Sequence, residues 1–373
     1  MTPEAGRRQI RGMTDPDGIL VLNAGSSSLK YALFAGGQAR WRGEIAGPGT
    51  PPQVLALAER AKEHGALAGV GHRIVYGGQD HAAPERVTPA LLAALEALVP
   101  MDPMHMPPGL AGIRAVGAAL PDVAQVACYD TAFHHTMPME ARHFALPRAL
   151  TEAGVRRYGF HGLSCEYIAQ VLGEQVPALA AGRVIVAHLG AGASLCALAQ
   201  GRSIASSFGL SVLDGLMMAT RCGALDPGVV FHLARQGMSL SEIEAMLYQR
   251  SGLLGVSGIS GDVRDLLASD DPHAAEAIDL YTYRIALEVG AMASALGGLD
   301  GIVFTAGVGE HSAAIRARVC ARLGWLGLAL DDAANVAGAM RIAAAGSRID
   351  VRVIPTDEEA MIARHVAAVI GAE

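Results

Sequence analysis

The sequence predicts an α/β protein built from two related halves. Three observations carry this. Apolar runs of strand length alternate along the 373 residues with Ala/Leu-rich helical stretches. A hairpin signature occurs twice, in VLNAGSSSLKYALFAGG near the front and in IVAHLGAGASLCALAQG at 185–201; each reads strand, small-residue turn, strand, glycine. Ser28-Leu29 of the first aligns with Ser194-Leu195 of the second, and the two halves are of similar length. Duplication of this kind predicts a central cleft between the copies, with the two turns facing each other across it.

The elements follow in order. Residues 1–18, rich in Pro, Gly, Asp and Arg, predict a disordered extension, with Met13 an alternative start. Strands are predicted at 19–23, 29–34, 70–76, 123–128, 183–188, 194–199, 302–306 and 351–354. Helices are predicted at 52–64, 89–98, 109–119, 164–172, 240–250, 272–297, 312–323, 331–344 and 357–370.

Composition narrows the function classes. Hydrophobic residues make up 51% and charged residues 17%, enough for two well-buried cores. Aromatics are 5%, so Ala, Val, Leu and Gly do most of the packing. The net charge is −7, and no basic run exists to neutralise nucleic-acid phosphates or a membrane surface. No apolar run reaches transmembrane length, and no charged-then-apolar leader precedes the first strand. Five cysteines are scattered without a CxxC, which predicts reduced thiols and a cytoplasmic protein.

The small-residue turns carry the first chemical signal. Small residues let backbone N–H groups approach a ligand closely, and successive N–H groups on a tight turn form an anion nest. Ser28 adds a hydroxyl and Lys30, one of only two lysines in the chain, a point charge. The ligand they predict is a phosphate chain, although the same turns also serve as plain hairpin ends in many β proteins. GxxxxGK[ST] is absent, so this is not a Walker loop. Ser27-Ser28-Leu29-Lys30 matches the β-lactamase S-x-x-K, but neither SDN nor KTG accompanies it. A third small-residue loop, IVFTAGVGEH at 302–311, leads into a helical stretch, a strand–turn–helix design for nucleotide contact.

Together these stretches resemble the acetate kinase family, within the acetate and sugar kinase/Hsp70/actin superfamily. VLNAGSSSLK fits the family's first signature. HRIVYGG (72–78), YDTAFHHTMP (129–138), RRYGFHGLS (156–164), HLGAGAS (188–194), GLMMATRCGALDP (215–227), SGLLGVSGISGDVRDL (251–266), FTAGVGEHS (304–312) and VIPTDEE (353–359) follow in the family's order. The resemblance implies a two-domain, duplicated ribonuclease-H-like (actin-like ATPase) fold. The expected domains are 19–132 plus 360–373, and a nucleotide-binding domain at 133–359. It also implies MgATP, a short carboxylic acid, a reversible in-line phosphoryl transfer giving an acyl phosphate, and a homodimer.

The resemblance also assigns residues. Arg73 and Arg221 match the arginines that hold two mutually repelling anions, a task suited to planar guanidinium groups. His161 matches the histidine that stabilises the transferring phosphoryl group, and Asp130 the essential aspartate. Asp130 need not act as a base, since a carboxylate nucleophile is already ionised at neutral pH. Asn23 and Glu358 match magnesium-linked positions; Glu358 also reads as a helix N-terminal acid in Thr356-Asp357-Glu358-Glu359. Ser28, Lys30 and His188, Leu189, Gly190, Ala191, Gly192 are expected at the phosphates. Asp262, Val263, Arg264 and Gly307, Val308, Gly309, Glu310, His311 are expected on the adenosine side, with an idle Arg264–Asp265 ion pair as the plain alternative. The acyl pocket falls on Arg73, Val75, Met104, Phe160 and Val212.

The chain departs from the family pattern in places. Ala191 replaces the asparagine of HLGNG, Ala205-Ser206-Ser207-Phe208 replaces Asp-Thr-Ser-Met, and Ala224 replaces an aspartate. Met104 stands for leucine and Val212 for proline. Acetate, propionate and butyrate stay open as acceptors, because one methylene is worth only about 1–3 kcal/mol. Ala191 leaves pyrophosphate open beside ATP as donor. Two rival readings share the fold: a kinase for a hydroxyl acceptor, and a degenerate or non-enzymatic nucleotide-dependent switch.

Overall fold

The computed structural model describes residues 18–25, 28–47 and 49–371. The extension expected over 1–18 lies outside the described residues except for Gly18, as do Ser26 and Ser27 of the opening turn. The described chain divides into two units. One takes its residues from Met1–Gly77, Ala83–Tyr129 and Glu358–Glu373, the other from Gly78–Ala82 and Asp130–Asp357.

The first unit is a six-stranded sheet of β1 (Gly18–Ala24), β2 (Ser28–Ala35), β3 (Gln38–Ala46), β4 (Leu67–Ile74), β5 (Glu85–Arg86) and β6 (Ala124–Tyr129). Its order is β3-β2-β1-β4-β6-β5, with β1, β2 and β3 an antiparallel meander and β4 and β6 parallel to β1. Leu20 and Leu22 of β1 pack with Val54, Leu57, Val70 and Val116 in one core layer. Burial of each such side chain is worth about 1.5–3 kcal/mol. On β4, Gly69 and Gly71 lie against Val366 and Ile362 of the last helix, Glu358–Gly371. A Cβ on Gly71 would collide with Ile362, so the glycine sets how closely helix and sheet approach.

The second unit repeats the plan. β7 (Arg183–Leu189), β8 (Ala193–Ala199) and β9 (Arg202–Ser206) form an antiparallel meander, and β10 (Gly301–Thr305) and β11 (Asp350–Val353) run parallel to β7. The order β11-β10-β7-β8-β9 matches the first sheet strand for strand, apart from the extra edge strand β5. The duplication expected from the two hairpins is therefore present in the topology. Helix Gly162–Gln175 supplies Cys165, Ile168 and Leu172 to one face of this sheet, packed with Val184, Val186 and Val303. The long helix Pro272–Leu296, N-capped by Asp271, packs along β7, β8 and β9.

Three expectations need correction. The helix expected over 331–344 is only Asp332–Val336; Gly338 turns left-handed at φ 65°, and Leu330 and Ala343 then pair as a β-bridge. The alanines of that stretch have helix propensity but no continuous apolar face to bury, and tertiary pairing wins. The loop expected over 302–311 instead closes as a short helix, Ala306–His311, directly after β10. Helix Pro227–Arg235, started by Asp226, and strands β3 and β9 were not expected at all.

Candidate active site

In the first unit the groups gather at the ends of β1 and β4. Asn23, 4% exposed, donates its amide to Glu358 Oε2 at 2.9 Å and to Glu359 Oε1 at 2.6 Å. Both acids occupy the first turn of the last helix, where the helix dipole favours negative charge. Lys30 is paired in register with Asn23 across β1 and β2 and is exposed; such partners share a sheet face. Ser28 opens β2. Arg73, half-buried on β4, donates Nη1 to Ala24 O at 3.5 Å. Asn23, Glu358, Lys30 and Arg73 thus share one end of this sheet. Val75 is buried, whereas Met104 is 42% exposed.

In the second unit the turn between β7 and β8 is the centre. Gly190 N donates to Gly192 O at 2.9 Å, which makes the turn tight. A Cβ on Gly192 would lie 3.3 Å from His161 Nε2 and 3.7 Å from Arg221 Nη1, so a cationic guanidinium and an imidazole flank the bare turn. Ala191, whose side chain is exposed, accepts from Ala219 N through its carbonyl at 3.1 Å. On the other side a Cβ on Gly190 would sit 3.7 Å from Ala306 Cβ.

Each flanking group is held. His161 Nδ1 meets Ser194 Oγ at 2.9 Å. Its ring stacks on His188 with centroids 4.0 Å apart and stands edge-on to Phe208 at 5.1 Å. Thr356 Oγ1 donates to Ser164 Oγ, and the Ser164 hydroxyl meets His188 Nδ1, both at 2.8 Å. Arg221 is anchored by Val212 O at 3.1 Å. Phe160 and Val212 are both buried, and Phe160 packs edge-on against Phe208. Asp130 is fully buried at the end of β6, and its carbonyl accepts from Gly162 N at 2.9 Å.

Among the remaining expected contacts, Asp262, Arg264 and Glu310 are already engaged. Asp262 caps helix Val263–Ala268 through Arg264 N at 2.8 Å and binds the Arg264 guanidinium, so its carboxyl is held below the usual range by that hydrogen-bonded partner. Asp265 bonds Ser260 Oγ instead of forming the alternative pair with Arg264. Val263 is buried. Glu310 turns inward: Oε1 accepts from Ala306 N at 2.7 Å and Thr356 N at 3.1 Å. Gly307 and His311 are exposed, Val308 is half-buried and Gly309 is buried.

Sequence reasoning missed Arg316, 1% exposed, whose Nη1 donates to Gly309 O at 2.9 Å and Glu310 O at 2.8 Å and whose Nε binds Asn335 Oδ1 at 2.7 Å. Four hydrogen bonds compensate this buried cation, and burial still lowers its proton affinity. Four residues beyond the motif FTAGVGEHS, it carried no local signal. His161 and Ala306 have φ of 56° and 64°, left-handed for residues with a Cβ. Such backbone costs on the order of 1–3 kcal/mol and concentrates where a site is being shaped.

The model of the Acetokinase family matches residues 53–364. An acetate kinase of Rhodopseudomonas palustris (strain TIE-1) is 49% identical, covering 94% of this chain and 98% of that protein. The crystal structure of Porphyromonas gingivalis acetate kinase superposes with a TM-score of 0.83 at 35% identity, over 95% of this chain and 100% of that one. A propionate kinase from Francisella tularensis superposes with a TM-score of 0.86 at 33% identity, over 94% and 99%.

Proposed function

Because the chain belongs to the Acetokinase family, it phosphorylates a short-chain carboxylate with ATP to give an acyl phosphate, and we propose that acetate is its preferred acid and Mg²⁺ its metal. The observation that carries the residue assignments is the tight turn at Gly192 with His161 Nε2 and Arg221 Nη1 on its flank. Backbone N–H groups, a guanidinium and an imidazole are what a migrating phosphoryl group requires of a protein.

The chemistry follows from charge. A carboxylate oxygen forms a bond to the γ-phosphorus while the bond from that phosphorus to the β-bridging oxygen breaks and ADP leaves. Both reactants are anions, so the barrier is repulsion and positioning. Arg221 and His161 meet the charge on the phosphoryl oxygens. Arg73 neutralises the acid, with Val75, Met104, Phe160 and Val212 assigned to its alkyl end. The turn 188–192, with Ser28 and Lys30, receives the phosphates; 262–264 and 307–311 are assigned to the adenosine side. No proton has to be removed from the acid, so we assign Asp130 to orienting an arginine or the metal's surroundings.

The donors at the end of β1 suit a hard cation. Asn23 and Glu358 offer oxygen, and the Asn23 amide already draws two carboxylates to one point. Among the described residues no group of three His, Cys, Asp or Glu is placed to hold a metal, so phosphate oxygens and water complete any shell. The bound cation would screen the phosphate charge. We also assign a cytoplasmic homodimer. Helix Pro227–Arg235 has no buried residue, yet Val229 and Phe231 are 37% and 59% exposed on it. None of the five cysteines is in a disulfide. No described helix is long and apolar enough to cross a membrane.

The test is MgATP with acetate, propionate and butyrate in turn, trapping acyl phosphate with hydroxylamine. Hydroxamate is expected with acetate above the other acids. A higher yield with propionate or butyrate would overturn the acid assignment.

A further inference from the structure

His134 is a fully buried imidazole that none of the assigned roles uses. It lies in the short 3₁₀ turn Ala132–Thr136, and both of its nitrogens are committed. Nδ1 meets Ser203 Oγ of β9 at 2.8 Å, and Nε2 meets the carbonyl oxygen of Phe160 at 2.9 Å. A carbonyl only accepts, so Nε2 carries a proton whatever the state of Nδ1. Thr136 Oγ1 donates to Ser203 O at 2.6 Å, which ties the same turn to β9 a second time.

The bond to Phe160 matters because the next residue is His161. That histidine sits in left-handed backbone, at φ 56°, a conformation that reverts unless its neighbours hold it. The peptide before it is held by His134 through Phe160 O, and the peptide after it by Asp130 O through Gly162 N at 2.9 Å. Gly159, at φ 76°, lies so close to the His134 ring that a Cβ would come within 2.6 Å of Cγ, so the ring also packs against the loop.

We propose that His134 is a positioning residue for phosphoryl transfer: its Nε2–H fixes the Phe160 carbonyl and thereby the strained backbone that aims His161 at the Gly192 turn. This rests on the reading that His161 contacts the transferring group. A displacement of about 1 Å at a reacting group costs on the order of a hundredfold. A histidine that merely filled the core would change stability and leave the turnover of folded enzyme alone.

The experiment compares His134→Asn with His134→Gln. The glutamine amide reaches the Nε2 position and keeps a donor to Phe160. The asparagine amide stops at the Nδ1 position and leaves that carbonyl without it. Both lose the ring, and both should lower Tm alike. Expected is a kcat loss of roughly thirtyfold or more in His134→Asn with KM for ATP and acid within about threefold, and recovery of most turnover in His134→Gln. In a His161→Ala background His134→Asn should add no further loss. Equal turnover losses in the two variants, or the full His134→Asn loss recurring without His161, would overturn the inference. Wild-type turnover in His161→Ala sinks the His161 assignment and this inference with it. A crippled His161→Ala beside an unimpaired His134→Asn sinks this inference alone.

Discussion

Asn23 and Glu358 are joined by a 2.9 Å hydrogen bond across 335 residues of sequence, linking the first strand to the first turn of the last helix. The same amide reaches Glu359 at 2.6 Å, so two carboxylates share one neutral donor. Two like charges held this closely favour a cation between or beside them. The bond also closes the chain onto itself within the first unit, joining the end of β1 to the last helix.

Glu358→Gln should therefore raise the free Mg²⁺ needed for half-maximal activity by roughly ten- to a hundredfold, the usual cost of losing a partner at a metal site. Activity against free Mg²⁺ at saturating ATP checks this. An unchanged Mg²⁺ requirement would take Glu358 out of the metal's surroundings and leave it a helix N-terminal acid.

Arg73→Ala and Arg221→Ala should each lower kcat/KM by at least roughly a hundredfold, the cost of removing charge stabilisation aimed at a transition state. Arg221→Lys should recover little. Its single ammonium cannot both keep the bond to Val212 O and present a planar fork. Steady-state kinetics on variants with unchanged circular dichroism decide it, and near-wild-type turnover in both alanine variants would defeat the assigned roles.

The hairpins, the duplication and the motif residues were legible because their signal is local. Asn23 and His188 lie near the ends of β1 and β7 and Gly192 on the following turn, where small residues interrupt the apolar runs. β3 was not, because its Arg, Glu and Gln residues face outward on a sheet edge and break the apolar pattern. Asp332–Val336 was overextended because alanine propensity says nothing of the left-handed stop at Gly338. His134 stands beside a second histidine in YDTAFHHTMP, and only the folded loop at Phe160 tells the two apart. Arg316 was invisible for the same reason: its partners are backbone carbonyls seven and six residues away and a side chain nineteen away.

The fold should carry a built-in acid sensitivity at His72. Its ring is buried on β4, and burial lowers its pKa from 6.5 to about 4, against a hydrogen bond with Gln125 that raises it. The unfolded chain takes up a proton near pH 6.5 and the folded protein only near 4. Between those values the unfolded state binds more protons, so stability falls as pH drops, by about 3 kcal/mol at most. Above pH 6.5 neither state is protonated there and the contribution is level. Denaturant unfolding of His72→Gln against the parent should show a stability difference that is flat above pH 6.5 and shifts in favour of the variant toward pH 4. A pH-independent difference would place the acid sensitivity elsewhere.

Ala191→Asn should strengthen nucleotide binding. Ala191 is exposed, and its carbonyl is pinned by Ala219 N at 3.1 Å, so the turn keeps its path when the side chain changes. An amide added there offers a further donor on the turn, and a hydrogen bond to a charged oxygen is worth about 1.5–3 kcal/mol when well made. Part of that is lost to ordering the new side chain, so KM for ATP should fall by roughly threefold to tenfold with KM for the acid unchanged. A KM for ATP that stays level would mean that the bare turn, with His161 and Arg221 on its flank, already saturates the phosphate oxygens. The departure from the family's asparagine would then cost this chain nothing in nucleotide affinity.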